Sequence, residues 1–253
     1  MKQIPNFFTL LNLVFGCVAI LFILQTGETL VSVNDEQLVI NLPEKIWWGS
    51  ICIGIAALID FLDGFVARLF KASSAMGKEL DSLADVVSFG VAPGMILYQL
   101  LRISYIQQEN GINTSLWLLL PALLFPCAGA YRLARFNTDD SQQFGFKGVP
   151  IPAAGLFVAS LPLILFYNSF GLNAVILNKW MLYAIILALS WLMVSRLPLM
   201  ALKFKDLSVR GNLSKLILLA VAVVAALFLK WLAVPVVFIF YIVLSLAFKN
   251  KTA

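Results

Sequence analysis

Residues 60–85 decide how this chain is organised, and they read DFLDGFVARLFKASSAMGKELDSLAD. The stretch interrupts a strongly apolar sequence with four aspartates, Asp60, Asp63, Asp81 and Asp85, in a chain that has only 13 acidic residues. A carboxylate at membrane depth carries a high free-energy cost, so it is kept there mainly where it serves a function. The stretch therefore predicts a functional site between helices, most simply a site that holds cations.

The composition around this stretch is that of a membrane protein. Of the 253 residues, 61% are hydrophobic and 12% are charged, and the mean hydropathy is +0.94. Soluble domains carry about 25% charged residues, and an apolar run of about 20 residues is long enough to cross a bilayer. The sequence predicts an all-α, polytopic transmembrane helical bundle of about eight spans, at residues 7–26, 47–70, 81–101, 115–135, 151–168, 178–197, 213–230 and 232–248.

The basic residues give these spans an orientation. The connections on one side carry 14 of the 18 Lys and Arg residues, and the connections on the other side carry the remaining 4. By the positive-inside rule, both termini and the aspartate-rich hairpin face the cytoplasm. We expect a single integral membrane domain over residues 1–253, with the core spans in 1–200 and a basic connection plus the last two spans in 201–253.

Helix geometry brings the four aspartates together. Asp60 and Asp63 are three residues apart and share one helix face, and Asp81 and Asp85, four apart, share a face of the next helix. In one continuous helix, Asp60 and Asp85 would lie about 37 Å apart and could not form one site. A turn at residues 71–76 instead places both pairs at a similar depth near the cytoplasmic boundary.

Facing carboxylates repel one another unless a counter-charge is present, and divalent cations supply it. An all-oxygen ligand set favours Mg²⁺ or Mn²⁺ over zinc, and two such ions could clamp a pyrophosphate. Gly64 and Gly77 would allow a ligand to approach the backbone closely, and Arg68 could pair with phosphate oxygens. The alternative is a purely structural role, in which the aspartates join the helices and Arg68 neutralises Asp63.

The pattern D-x-x-D-G-x-x-A-R, eight residues, G-x-x-x-D-x-x-x-D resembles the motif of the CDP-alcohol phosphotransferase family at every position, from Asp60 to Asp85. The resemblance implies a helical membrane enzyme, expected to be a homodimer, that moves a phosphoalcohol group from a CDP-linked donor to a hydroxyl and releases CMP. It implies that Asp60, Asp63 and Asp81 bind two metal ions, and that Asp85 lies near the metals and acts as the base. It also places Gly64, Ala67, Arg68 and Gly77 at the donor.

The flanking segments narrow the acceptor. They read IPNFFTLLNLVFG at residues 4–16, VVSFGVAP at 86–93, YRLARFN at 131–137 and FKGVPIPAA at 146–154, and together they resemble the bacterial and archaeal membrane-embedded phosphatidylserine synthases of that family. This resemblance implies a prokaryotic cytoplasmic membrane, CDP-diacylglycerol as donor and L-serine as acceptor. We expect donor contacts from Thr9, Asn12 and Lys147, and serine contacts from Ser88, Arg132, Arg135 and Asn137.

Other interpretations stay open at this point. Thr9 and Asn12 could simply hydrogen-bond between helices, and Arg132, Arg135 and Lys147 could be ordinary positive-inside charge. A sister enzyme of the family could use glycerol 3-phosphate or an inositol phosphate as acceptor. A cation transporter is a more remote alternative, and no nucleic-acid partner is expected. Since the chain has no histidine, a carboxylate is the natural general base.

Overall fold

The computed structural model describes residues 4–33, 36–69, 74–107, 114–138, 146–200 and 213–247. Most of these residues are helical. The α-helices are α1 (Ile4–Leu24), α2 (Ile46–Leu69), α3 (Ala75–Asp85), α4 (Ala92–Ile106), α5 (Leu116–Leu119), α6 (Leu124–Thr138), α7 (Ile151–Tyr167), α8 (Asn173–Ile176), α9 (Lys179–Val194), α10 (Leu213–Leu229) and α11 (Ala233–Ala247).

Within the described ranges, five helical stretches are long and apolar enough to cross a membrane, at Pro5–Leu24, Ile46–Val66, Ala75–Ile106, Leu116–Thr138 and Ser214–Ala247. Two shorter apolar helices, Ile151–Tyr167 and Lys179–Val194, complete the bundle. The protein is therefore an integral membrane protein with several spans, as the composition predicts. The predicted break between the last two spans is present, because a 3₁₀ turn at Lys230–Leu232 separates α10 from α11 and Lys230 has a φ of +51°.

Two short antiparallel strand pairs modify the all-α prediction. Strand β1 (Gly27–Val33) pairs with β2 (Glu36–Leu42) in the connection between α1 and α2, with Gly27 opposite Leu42. Strand β3 (Phe146–Lys147) pairs with β4 (Pro198–Leu199), so that the segments entering α7 and leaving α9 lie side by side.

A π-helical segment at Val86–Val91 joins α3 to α4 in one continuous helix. Pro93 has no N–H to donate to the carbonyl of Phe89, so the regular α-helical ladder cannot continue through this point, and the Ala92 N–H reaches back to Val87 instead. The segment lies at the centre of the bundle, in contact with α1, α6 and α7. Phe89 is fully buried, and a Cβ added to Gly155 of α7 would lie 2.8 Å from its carbonyl oxygen.

Candidate active site

The site is built on three carboxylates from two neighbouring helical segments. Oxygen atoms of Asp60 on α2 and of Asp81 and Asp85 on α3 all lie within 4.8 Å of one another. Asp85 is 8% exposed, whereas Asp60 and Asp81 are half-buried. The three charges repel one another at this distance. Asp60 of the first row and both aspartates of the second row therefore meet at one place, as the helix arithmetic predicts.

Local sequence signals explain how the hairpin forms. Helix α2 ends at Leu69 with Arg68 in its last turn, where a cation interacts favourably with the helix dipole. Helix α3 starts at Ala75, and the Ser74 side chain caps it by accepting a hydrogen bond of 3.0 Å from the Gly77 N–H. The predicted turn overlaps residues 70–73, which lie outside the part of the chain that the structure describes.

Asp63 is held differently from the other three aspartates. Asp63 is 7% exposed, and its carboxylate accepts a hydrogen bond from the Thr9 hydroxyl of α1, whose oxygen also lies 3.2 Å from the Pro5 carbonyl oxygen. Asp63 stays close enough for its charge to act on Asp60 and Asp81. Helix α1 therefore forms one wall of the site, and Thr9 contacts a motif aspartate.

Asn12, one turn after Thr9, reaches the other end of the site. Its side-chain amide donates to Asp85 Oδ1 over 3.5 Å, and its backbone carbonyl accepts a 3.1 Å hydrogen bond from the Ser88 hydroxyl. Ser88 is fully buried and sits where a Cβ on Gly16 would overlap it. The structure thus places Ser88 between α1 and the π-helical segment, where it fixes the position of Asn12.

The two arginines predicted to contact the acceptor L-serine have different surroundings. Arg132 on α6 is 5% exposed, its guanidinium lies 5.2 Å from the centre of the Phe136 ring, and its charge acts on Asp85. Arg135, one turn later, donates to the carbonyls of Val194 and Ser195 at 2.9 and 3.0 Å. Its guanidinium therefore caps the C-terminus of α9, a contact that the sequence reading did not foresee.

Asn137 links the end of α6 to α3. Its side-chain amide donates to the Ser82 hydroxyl over 2.8 Å, and its backbone carbonyl lies 3.5 Å from the Lys78 ammonium. These contacts join the ends of the two helices on the side of the bundle where the carboxylates lie. Asn137 therefore borders the site beside the Asp81–Asp85 helix.

The remaining residues predicted to contact the donor have different surroundings. A Cβ added to Gly64 would meet nothing within 4 Å, and Arg68 is exposed. A Cβ added to Gly77 would lie 3.0 Å from the Ser74 hydroxyl. Ala67 belongs to α2 and Lys147 to β3, but the side chains of both lie outside what the structure describes.

The segment that contains Lys147 is anchored to the end of α9. Gly148 has a φ of +82°, a left-handed conformation that favours glycine, and its N–H donates to the Leu197 carbonyl over 2.9 Å. The Val149 N–H donates to the Leu192 carbonyl over 3.1 Å. Together with Arg135, these donors satisfy carbonyls at a helix terminus that lack partners within the helix.

The donor set fits a divalent cation. Three converging carboxylates supply the hard oxygen ligands that Mg²⁺ and Mn²⁺ prefer. In addition, Asp63 Oδ1 and Asn12 Oδ1 are buried and find no hydrogen-bond partner within the described ranges. Buried acceptors of this kind carry a free-energy cost that a bound cation or a bound donor group would remove.

Sequence reasoning missed a contact from the last helix. The Tyr241 hydroxyl of α11 donates to the carbonyl of Met200, the residue directly after β4, over 3.0 Å, and the Arg132 charge acts on this hydroxyl. No motif or spacing in the sequence singles out this tyrosine, because its partners lie more than 40 residues away along the chain.

The fold and the site define a polytopic membrane protein with a cluster of three carboxylates, able to hold a divalent cation, between its helices. The chain belongs to the CDP-alcohol phosphatidyltransferase family, whose model matches residues 2–202. This confirms the family that the Asp60–Asp85 motif indicates.

Curated relatives agree with the family. The chain is 34% identical over 181 residues to a protein of Mycobacterium leprae, a match that covers 69% of this chain and 55% of that protein. It is 39% identical over 126 residues to a protein of Bacillus subtilis, covering 48% and 66% of the two chains. A Methanocaldococcus jannaschii protein is 34% identical over 173 residues, covering 68% and 66%.

Each of these three proteins is named CDP-diacylglycerol–serine O-phosphatidyltransferase. The matched segments span between about half and two thirds of the length of these relatives. The similarity therefore leaves part of each relative without a counterpart in the alignment.

Proposed function

We propose that this protein is an enzyme of phospholipid synthesis that transfers the phosphatidyl group of CDP-diacylglycerol to the hydroxyl of L-serine, giving phosphatidylserine and CMP. The observation that carries the reaction type is the convergence of Asp60, Asp81 and Asp85 within 4.8 Å, on the spacing of the family motif. The names of the relatives from three organisms support serine as the acceptor.

In this mechanism, Asp85 accepts the proton of the serine hydroxyl. The serine oxygen forms a new bond to the phosphorus of the phosphatidyl group, and the bond from that phosphorus to the bridging oxygen breaks, so that CMP leaves. Asp85 is suited to this role because it is buried and Asn12 contacts its Oδ1, which orients the carboxylate. A correctly placed base contributes about 10²- to 10⁴-fold to such a step.

The other residues bind and orient the two substrates. Asp60, Asp63 and Asp81 would hold the metal ions, with Asp85 next to them as the base. Bound divalent cations would neutralise the pyrophosphate charge and stabilise the departing CMP. Gly64 leaves open space for the donor, and Arg68 is exposed at the same end of α2, where it is available to phosphate oxygens. Arg132, whose charge acts on Asp85, is suited to the serine carboxylate.

The activity is tested with purified protein, CDP-diacylglycerol, Mg²⁺ or Mn²⁺, and a panel of alcohols. We expect CMP release with L-serine, and none with glycerol 3-phosphate, inositol or inositol phosphate. An Asp81→Asn variant purified in parallel controls for a contaminating host synthase. Reaction of glycerol 3-phosphate or inositol without reaction of serine would show that the acceptor is wrong.

We propose Mg²⁺ or Mn²⁺ as the cofactor, with two ions per site. Because ligands that bind only the folded state stabilise it, either ion should raise the thermal unfolding temperature of the purified protein, while a monovalent salt of equal ionic strength should not. The double variant Asp60→Asn/Asp81→Asn should lose this response. An equal rise of the unfolding temperature in the variant would show that the cation binds at another site.

We also propose that the protein lies in a prokaryotic cytoplasmic membrane with its site facing the cytoplasm, and that it forms a homodimer. The orientation is supported by the distribution of basic residues, 14 against 4. The dimer is supported by family resemblance alone, and light scattering of the protein in detergent tests it.

A further inference from the structure

The last helix contributes a buried hydroxyl to the surroundings of the site. Tyr241 of α11 is 6% exposed, and its hydroxyl donates to the Met200 carbonyl over 3.0 Å. Helix α11 lies beyond residues 2–202, the segment that the family model matches. The family motif therefore does not include this contact.

The hydrogen bond of Tyr241 restrains the β3–β4 strand pair. Met200 directly follows β4, and β4 pairs with β3 so that Leu199 lies opposite Phe146 and Pro198 opposite Lys147. Leu199 and Met200 are themselves buried, at 4% and 8% exposure. A hydrogen bond to a buried carbonyl restrains the backbone that bears it, so Tyr241 holds the strands at the point where the chain enters the Gly148 turn.

Tyr241 also lies beside Arg132. Both side chains are buried, and the Arg132 charge acts on the Tyr241 hydroxyl as well as on Asp85. The Phe136 ring lies 5.2 Å from the guanidinium carbon. Arg132 is thus surrounded by groups from α3, α6 and α11, and α11 supplies a polar hydroxyl among them.

We propose that Tyr241 is a positioning residue for phosphatidyl transfer, which acts by fixing the β3–β4 strand pair and the Arg132 guanidinium next to the carboxylates. The proposal rests on the proposed function. It makes the last helix a part of the working site, although Tyr241 itself contacts none of the proposed metal ligands in the described structure.

The test compares Tyr241→Phe with Tyr183→Phe in the full-length protein. Both changes remove a hydroxyl that donates to a backbone carbonyl, since Tyr183 donates to Leu118 over 2.7 Å, and Tyr183 also contacts the hydroxyl of Tyr105. We expect Tyr241→Phe to lower kcat/KM for serine by about ten-fold, the size of one such hydrogen bond. Tyr183→Phe should stay within about two-fold of the wild type.

A double-mutant cycle with Arg132→Lys identifies the route of the effect. If Tyr241 acts through Arg132, the losses from the two single changes should not add in the double variant. Wild-type kinetics in Tyr241→Phe, strictly additive losses, or equal losses in Tyr241→Phe and Tyr183→Phe would each overturn the proposal. Because the comparison can be run with whichever alcohol the wild type uses, a wrong acceptor would be visible in the wild type first.

Discussion

The four aspartates of the motif do not have equivalent environments. Asp60, Asp81 and Asp85 face one another, while Asp63 accepts a hydrogen bond from Thr9. Positions three apart on a helix point about 60° away from each other around its axis, so Asp63 can reach α1 while Asp60 faces α3. This difference in surroundings supports a division of roles between the residues.

Asp85→Asn should remove turnover and leave donor binding largely intact. The amide has nearly the same shape as the carboxylate but cannot take the serine proton, so we expect kcat to fall by about 10²- to 10⁴-fold. Binding of CDP-diacylglycerol, measured by calorimetry in detergent, should change little. Normal turnover by this variant would rule out Asp85 as the base.

Asp63→Asn should instead weaken metal and donor binding. The amide oxygen can still accept the hydrogen bond of Thr9. Any loss of metal or donor binding is therefore due to the missing charge and not to a lost contact with α1. We expect a higher metal concentration for half-maximal activity and a higher KM for CDP-diacylglycerol. An unchanged metal requirement would show that Asp63 does not bind the cation.

Gly64→Ala tests whether the open space beside Gly64 is needed to bind the donor CDP-diacylglycerol. The added methyl group meets nothing within 4 Å in this structure, and the same is true of Gly54 on the same helix. Replacing glycine by alanine in a helix stabilises it by about 0.5–1 kcal/mol, so neither variant should unfold more easily. We expect Gly64→Ala to raise the KM for CDP-diacylglycerol and Gly54→Ala to leave it unchanged, and equal kinetics in both would argue against a donor at Gly64.

Single residues were predictable where the sequence spacing alone determines their position. The aspartate rows follow from helix periodicity and one turn, and the structure confirms that Asp60, Asp81 and Asp85 meet. The partners of Arg135 and Ser88 were not predictable, because they are backbone carbonyls of α9 and α1 that approach only in the folded bundle. The roles assigned to the serine-side residues stay predictions.

At the scale of the elements, the π-helical segment joins the site to the core. Asp85 directly precedes it, and α1, α6 and α7 all pack against it. Glycines allow this close packing, since a Cβ on Gly155 would lie 2.8 Å from the Phe89 carbonyl and one on Gly90 3.2 Å from Ile151. A shift of this segment would therefore be transmitted to Asp85.

Gly155→Ala should destabilise the protein and lower its activity together. Overpacking of a filled interior costs about 1–3 kcal/mol, and here the displaced atom belongs to the backbone next to the site. Thermal unfolding in detergent measures the effect. Gly54→Ala is the matched control, because its added methyl group would enter open space. Unchanged stability in Gly155→Ala would show that α7 can move away from the π-helical segment without cost.

The elements also differ in how far the sequence specifies them. Long apolar runs predict the helices, and the Lys230–Leu232 break lies where the prediction placed a tight turn. Helix α3 begins at Ala75, before the predicted span boundary, because the Ser74 cap extends it beyond its apolar part. The π-helical geometry and the β1–β2 pairing depend on contacts between segments, which periodicity does not report.

At the scale of the whole molecule, the site occupies one end of the bundle. The N-terminal half of α1, the C-terminal half of α2 and the whole of α3 meet there, while the β1–β2 pair follows the opposite end of α1. The proposed acceptor serine and the proposed product CMP would therefore need access to only one side of the membrane.

Labelling of single cysteines should show which side this is. In a variant without Cys17, Cys52 and Cys127, a cysteine at the exposed Glu79 should react with an impermeant maleimide only from the cytoplasmic face. A cysteine at Ser169, in the exposed connection after α7, should react only from the outside. The reverse pattern would invert the proposed topology.

The β1–β2 pair has a practical consequence for imaging the protein. At 27.9 kDa, with most of its mass inside the detergent belt, the molecule offers few features by which particle images can be aligned in electron cryomicroscopy. The two seven-residue strands leave the bundle in register at the end away from the carboxylates, and each extends about 23 Å. A rigid marker domain inserted between Val33 and Glu36 would be carried on paired strands, which makes this the place to add one without touching the site.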